Sequence, residues 1–251
     1  MEKIMIPYVR QKRILEELEK NDVLFIENIV DVFPKYSEST IRRDLKVLEE
    51  ENYVTLLRGG GVKLKGASHE VPANEKLHLN KDAKEYIAKI AATTVQDNDV
   101  IYIDSGTTTL AMVKYIVAKN VKVITTNTHL LMEQRNTNIT SFYTLSGVVN
   151  YTIGSISGSS TDKDMSNLFF DKSYLGSTGF GINVGINTPD IKEATKKIIA
   201  LRNSSQTYVL ADVTKYNKKA LSKAFDVKDC ILITDQKIPE FDKENIKYMY
   251  S

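Results

Sequence analysis

With 251 residues, 34 Lys/Arg against 32 Asp/Glu and 42% hydrophobic content, the chain is close to neutral (+2) and suits a packed globular protein of one or two domains. No apolar run approaches the ~20 residues of a membrane-spanning helix, and MEKIMIPYVRQKR carries no secretory pattern, so no membrane association and a cytoplasmic location are expected. One cysteine, Cys230, excludes an internal disulfide, and the scattered His69, His78 and His129 lack metal-ligand spacing, so neither a metal nor a cofactor is expected.

Residues 8–52 carry helical periodicity. Ile14, Leu15 and Leu18 form one stripe, Ile26, Ile29, Val30 and Phe33 a second, and Ile41, Leu45 and Leu48 a third. Pro34 ends the second helix and Ser37 is placed to cap the third. YVTLL, RGGG and VKLK then read as two short strands about a glycine turn. Three helices followed by a hairpin predict a winged helix-turn-helix over residues 1–65. Residues 66–79 (GASHEVPANEKLHL) show no period and read as a linker, with a helix from near Asn80.

From Val100 onwards strands alternate with helices: VIYID then TLAMVKYIVAK, VKVITT then THLLMEQ. Further strands are predicted at SFYTLS, KSYLGS, TYVLAD and CILITD, with a helix at IKEATKKIIALRN. This alternation predicts a three-layer, mostly parallel α/β domain over residues 80–251, in which ligands sit at the carboxyl ends of the strands.

Two groups of residues carry candidate chemistry. In SESTIRRDLKVLEEE the apolar stripe turns Glu38, Ser39, Arg42, Arg43 and Lys46 outward. An exposed helix N-terminus of this kind can enter a major groove, with Ser37, Ser39, Thr40, Arg42, Arg43 and Lys46 reaching bases or phosphates and Arg58 at the hairpin tip reaching the backbone. An ordinary solvated face, with the arginines paired to Glu38 and Asp44, accounts for the same residues equally well. Residues 1–65 hold 12 Lys/Arg and 12 Asp/Glu, so net charge does not separate the two readings.

The second group lies at successive strand ends. Asp104 and Gly106 precede Thr107, Thr108 and Thr109, where a helix begins and amides, hydroxyls and the dipole favour an anion. Asn127, Gly147, then Gly176, Thr178 and Gly179, and finally Asp212 and Lys215 follow the later strands. Lys215 can neutralise a phosphate, and Asp104 and Asp212 can accept sugar hydroxyls. Each position alone is also an ordinary capped turn. The phosphate-loop lysine of nucleotide hydrolases is missing, as are G-x-S-x-G and the full dinucleotide fingerprint.

S-E-S-T-I-R-R-D-L-K-V-L-E at Ser37–Glu49 and the RGGG turn resemble the winged helix of DeoR-family bacterial transcriptional regulators. D-S-G-T-T-T, T-T-N, L-G-S-T-G-F and A-D-V-T-K-Y, in that order, resemble the same family's sensor domain, which is similar in fold to ribose-5-phosphate isomerase. The resemblance implies a repressor of carbohydrate-metabolism genes that binds a double-stranded operator as a homodimer or homotetramer. It implies a phosphorylated sugar as effector, with phosphate at Gly106–Thr109 and Lys215. A sugar-phosphate isomerase is the alternative, but Gly176-Ser177-Thr178-Gly179-Phe180 offers no carboxylate to take a proton from carbon, so no enzyme is expected.

Overall fold

A computed structural model describes residues 6–19, 21, 23–50, 53–64, 72–131 and 136–250. The chain divides into two compact units, Met1–Val71 and Pro72–Ser251.

The first unit contains α1 (Pro7–Glu19), β1 (Leu24–Phe25), α2 (Ile26–Val32), α3 (Glu38–Glu50), β2 (Val54–Leu56) and β3 (Gly61–Leu64). The three stripes meet in one core of Ile14, Leu18, Ile26, Ile29, Phe33, Ile41, Leu45, Leu48, Val54 and Val62. Ser37 caps α3 as its sequence position predicts, its Oγ accepting from the Thr40 amide at 3.3 Å. The hairpin β2–β3 closes through Gly59 and Gly60, both at positive φ (87° and 82°), which only glycine adopts without strain. β1 adds a third, antiparallel strand to β3 that the sequence pattern does not reveal, because two residues are too few to show alternation.

One buried ion pair locks this unit. Arg10 of α1 pairs through its guanidinium fork with Asp44 of α3, and its cationic carbon lies 4.5 Å from the centre of the Tyr36 ring. The Asp44 hydrogen bond outweighs the cost of burial and raises the Arg10 pKa further. Asp44 therefore faces inward, not towards Arg42 and Arg43.

The second unit opens with α4 (Ala73–His78), a helix where an irregular linker was expected, followed by α5 (Lys81–Thr93). Then come β4 (Val100–Ile103), α6 (Thr107–Met112), β5 (Val121–Thr125), β6 (Ile139–Thr144), β7 (Val148–Asn150), β8 (Ser155–Ser157), α7 (Ser159–Ser166) and β9 (Phe170–Gly176). β10 (Ile186–Thr188), α8 (Ile191–Arg202), β11 (Ser204–Leu210), β12 (Ser222–Phe225), β13 (Ile231–Ile233), α9 (Pro239–Lys243) and β14 (Tyr248–Met249) complete it. The helix expected over TLAMVKYIVAK is cut to α6 plus a 3-10 turn at Val113–Tyr115. THLLMEQ begins as a 3-10 turn at Thr128–Leu131, and its last residues fall outside the described part.

Seven parallel strands form the main sheet in the order β14-β13-β11-β9-β4-β5-β6. Side chains alternate across it: Ile101 and Ile103 enter a core with α5 and α6, while Tyr102 enters the opposite core with Ala200 of α8. The chain runs outward from β4 to β6, returns to β9 on the other side of β4, and runs outward again to β14. The junction of β4 and β9 is thus the topological switch point, where parallel sheets open a crevice at their carboxyl ends.

Replacing Asp44 by Ala should destabilise the first unit by about 3–5 kcal/mol, because Arg10 would remain buried without its counter-ion. A lower denaturation midpoint for that unit, with the second unit's transition unmoved, is the expected outcome; an unchanged midpoint would contradict it.

Candidate effector site and DNA-reading helix

The loops after β4 and β9 meet at the switch point. A Cβ on Gly106 would lie 3.4 Å from the Gly176 Cα, and nothing else lies within 3.4 Å of a Cβ on Gly176. These two glycines let the two backbones approach each other. Asp104 is 1% exposed, pairs with Lys197 of α8, and accepts the Gly176 amide at 3.1 Å. Burial would raise its pKa, but Lys197 and Lys196 together hold it below the ordinary carboxylate range.

Several residues expected to touch an effector instead hold this junction together. The Thr109 hydroxyl lies 2.7 Å from the Asp104 carbonyl and 2.8 Å from that of Gly106, and takes the Gly106 amide at 3.1 Å. Asn127 is buried and gives its amide to the same carbonyls at 3.3 and 3.2 Å. Thr108 is buried, while Thr107 is half-buried. Gly179 is required by packing: a Cβ there would meet the Lys218 carbonyl oxygen at 2.1 Å. Gly147 is likewise filled, by the Thr161 hydroxyl at 2.2 Å, and follows β6, two strands or about 10 Å from β4.

Asp212 is different. Its Oδ1 accepts from the Asn80 side chain (3.1 Å) and the Thr214 hydroxyl, but its buried Oδ2 has no hydrogen-bond partner. Lys215 Nζ stands 3.8 Å from that oxygen and donates to the Ser177 carbonyl at 2.9 Å. Burial would raise the Asp212 pKa, but Lys215, the Thr214 hydrogen bond and Lys84 lower it. An ionised, buried carboxylate whose second oxygen lacks a hydrogen bond keeps the capacity to accept one.

Around it stand cations that the sequence reading did not single out. Lys84 of α5 is buried and donates to the Lys76 carbonyl at the end of α4. Its pKa falls to about 8, first through burial and then through the charges of Lys215 and Lys76. Lys215 is lowered by burial and, against the pull of Asp212, by Lys76, Lys197 and Lys218. Cations from α4, α5, α8 and the β11 end therefore share one field, which favours an anion. Beneath them, fully buried Lys196 lies 2.9 Å from Glu193 and donates to Ser155 (2.7 Å) and the Ile156 carbonyl (2.9 Å). Glu193 accepts from Ser105 at 2.9 Å and Ser155 at 2.8 Å, tying the β4 loop to β8. A signal was present in sequence: Glu193, Lys196, Lys197 and Ala200 follow helical spacing, and Lys84 begins the buried stripe of Ile87, Ala88 and Ala91.

In the first unit, Glu38, Ser39, Arg42, Arg43 and Lys46 are exposed at the start and along the outer side of α3. Arg42 pairs with Glu38 at 2.7 Å, and Lys46 stands 3.9 Å from Glu50. Arg43 makes no side-chain hydrogen bond or ion pair with the described residues. Ser37 Oγ lies 2.9 Å from the hydroxyls of both Ser39 and Thr40. Arg58 is exposed at the hairpin tip.

Residues 10–65 match the DeoR-like helix-turn-helix domain, and residues 79–236 match the DeoR C-terminal sensor domain. The chain belongs to the DeoR family. It is 35% identical, over 92% of its length and 91% of the relative's, to the uncharacterized HTH-type transcriptional regulator FruR of Bacillus subtilis. Another relative, the transcriptional repressor AccR of Agrobacterium fabrum, is 26% identical over 90% of this chain and 88% of its own. Ribose 5-phosphate isomerase A of Methanocaldococcus jannaschii is 19% identical over 55% of each chain, with a TM-score of 0.39. At that score the likeness carries no argument about function. This DeoR-family chain is a DNA-binding transcriptional regulator with a sensor domain. No helix among the described residues is long and apolar enough to cross a membrane, and no group of metal-binding side chains occurs among them.

Lys84 gives the candidate anion site an expected pH dependence of definite sign. Below about pH 8 it is charged and would add to the attraction for a phosphate-bearing ligand, itself a dianion above about pH 7. As pH rises through 8 the charge is lost, so affinity should fall there in the wild type and stay flatter in Lys84→Met. Titration calorimetry at stepped pH checks this; parallel profiles for the two chains would contradict it.

Proposed function

We propose that this regulator is a repressor of carbohydrate-metabolism genes whose grip on a double-stranded operator is modulated by a phosphorylated sugar or related metabolite. The observation that carries this reading is the buried Oδ2 of Asp212, without a hydrogen bond, inside a field of lysines. A ligand that suits it bears a hydroxyl to donate and a phosphate to be neutralised, and a sugar phosphate has both. In this reading Lys215 and Lys84 hold the phosphate, Asp212 takes a hydroxyl, and Gly106, Thr107, Gly176 and Thr178 line the approach. Asp104, Thr109, Asn127, Gly147 and Gly179 act by positioning, because their polar atoms or their space are already used within the protein.

At the other end, Arg42, Arg43 and Lys46 of α3 read the operator, with Ser37, Ser39 and Thr40 at the helix start and Arg58 on the adjacent backbone. A single winged helix makes few contacts, so a homodimer or homotetramer places two of them on spaced half-sites. Repression is the sense carried by the name of the relative from Agrobacterium fabrum. Effector coupling of roughly 5–150-fold in operator affinity is enough to switch occupancy.

An isomerase reading finds less support. Asp104 and Glu193 are each held by a lysine and by hydrogen bonds, and Lys215, Thr214 and Lys84 lower the pKa of Asp212, which leaves all three poor bases for a carbon-bound proton.

An Arg42→Ala/Arg43→Ala double variant should bind operator at least ~10-fold more weakly at matched salt. Equal binding would remove α3 from the interface. A panel of sugar phosphates should contain at least one that raises the melting temperature and shifts operator affinity, with both effects lost in Asp212→Asn. If none does, or if pentose phosphates are turned over, the sensor reading is wrong.

A further inference from the structure

α4, at the start of the second unit, is fastened to residues of the candidate anion site and to their neighbours. At its start, the Ala73 amide donates to the Thr152 carbonyl at 2.7 Å, in the turn between β7 and β8. At its end, the Lys76 carbonyl accepts the Lys84 ammonium. Just beyond it, Asn80 sits in the left-handed region (φ 49°), and its side chain donates to Asp212 at 3.1 Å and to the Thr214 hydroxyl at 3.1 Å. Leu77 packs on the sheet core, and α4 lies beside α6, the helix that follows Asp104-Ser105-Gly106.

We propose that α4 is the element through which an anion at this site acts on the DNA-binding unit: the anion tightens the Lys84–Lys76 and Asn80–Asp212 ties and so fixes the helix from which the chain leaves for that unit. The proposal rests on the anion reading of the site given above, and names the route by which that reading becomes regulation.

The physical reason lies in who holds α4. A six-residue helix has almost no stability of its own, so it persists only through its ties to the rest of the domain. One tie comes from a buried lysine set among other lysines, whose charges repel its own. Another comes from a carboxylate whose second oxygen has no hydrogen bond. An anion placed among Lys84, Lys215 and Lys76 offsets their mutual repulsion and holds Lys84 in its charged form as pH rises towards 8. The bond from Lys84 to the helix-terminal carbonyl is then charge-assisted, and a cation stands at the negative end of α4. A ligand hydroxyl on Asp212 fixes the carboxylate that Asn80 holds. Both effects act in the same direction. Binding is thereby converted into order in the connecting helix, which is what one site needs to influence another.

Hydrogen exchange on the full chain, with and without inorganic phosphate, tests this, with phosphate binding measured separately by calorimetry. Saturating phosphate should slow exchange of the amides of Glu75, Lys76 and Leu79 roughly 5-fold or more. In Lys84→Met, phosphate should leave those amides unprotected. Phosphate that binds the wild type without slowing α4, or that still slows it in Lys84→Met, overturns the proposal while the anion site stands. Absence of phosphate binding to the wild type overturns both.

Discussion

A buried carboxylate at a strand end must be given a cation, and meeting that need at Asp104 organises much of the second unit. Lys197 supplies the charge from α8, which brings the whole charged side of that helix over the carboxyl ends of the sheet. Glu193 and Lys196 come with it, and they fasten the β4 loop to β8 through Ser105 and Ser155. Buried ion pairs of this kind contribute little net stability against a hydrophobic substitute, but they are costly to half-remove. They fix geometry. Here they hold two glycine-bearing loops face to face at the one place in the sheet where the direction of winding reverses.

That placement separates two sorts of polar residue at the strand ends. Asp104, Thr109 and Asn127 spend their hydrogen-bonding capacity on the backbone of the loop, so they build the site without being its surface. Asp212 and Lys215 stand one strand beyond β9, at the end of β11, with capacity left over. Lys84 adds a charge made labile by its surroundings. In the proposed site, the floor spends its hydrogen bonds within the protein and the rim keeps capacity for a ligand. The rim is the part attached to α4, and so to the chain leading to the DNA-binding unit.

In the first unit an ion pair plays a comparable part with a different result. Asp44 stands in the middle of Arg42-Arg43-Asp44-Leu45 yet points into the core, where Arg10 and Tyr36 hold it. One helix thus presents its arginines outward because its aspartate is taken inward. Arg42 is balanced at the surface by Glu38, an exposed pairing of the kind that contributes little.

The three helices and hairpin of the winged helix, and strands β4, β5, β6, β9, β11 and β13 of the parallel sheet, were legible in sequence, because apolar periodicity, Pro34 and the Arg58–Gly61 turn each constrain the backbone locally, whereas short elements such as β7, β8, β10, β12 and β14 were not. Asp104, Gly106, Gly176, Asp212 and Lys215 were legible as strand-end residues for the same reason. The sequence could not tell which of them face a ligand, since that depends on where their hydrogen bonds go. Nor did it reveal Lys84, Lys196 and Lys197 as buried, because charge on a helix ordinarily means solvent and only the packing of α5 and α8 against the strand ends reverses this. α4 was hidden too, since a six-residue helix is too short to show a period and owes its existence to its partners. Local pattern determined what the segments are; the meeting of charges brought together from distant segments decided what the site is.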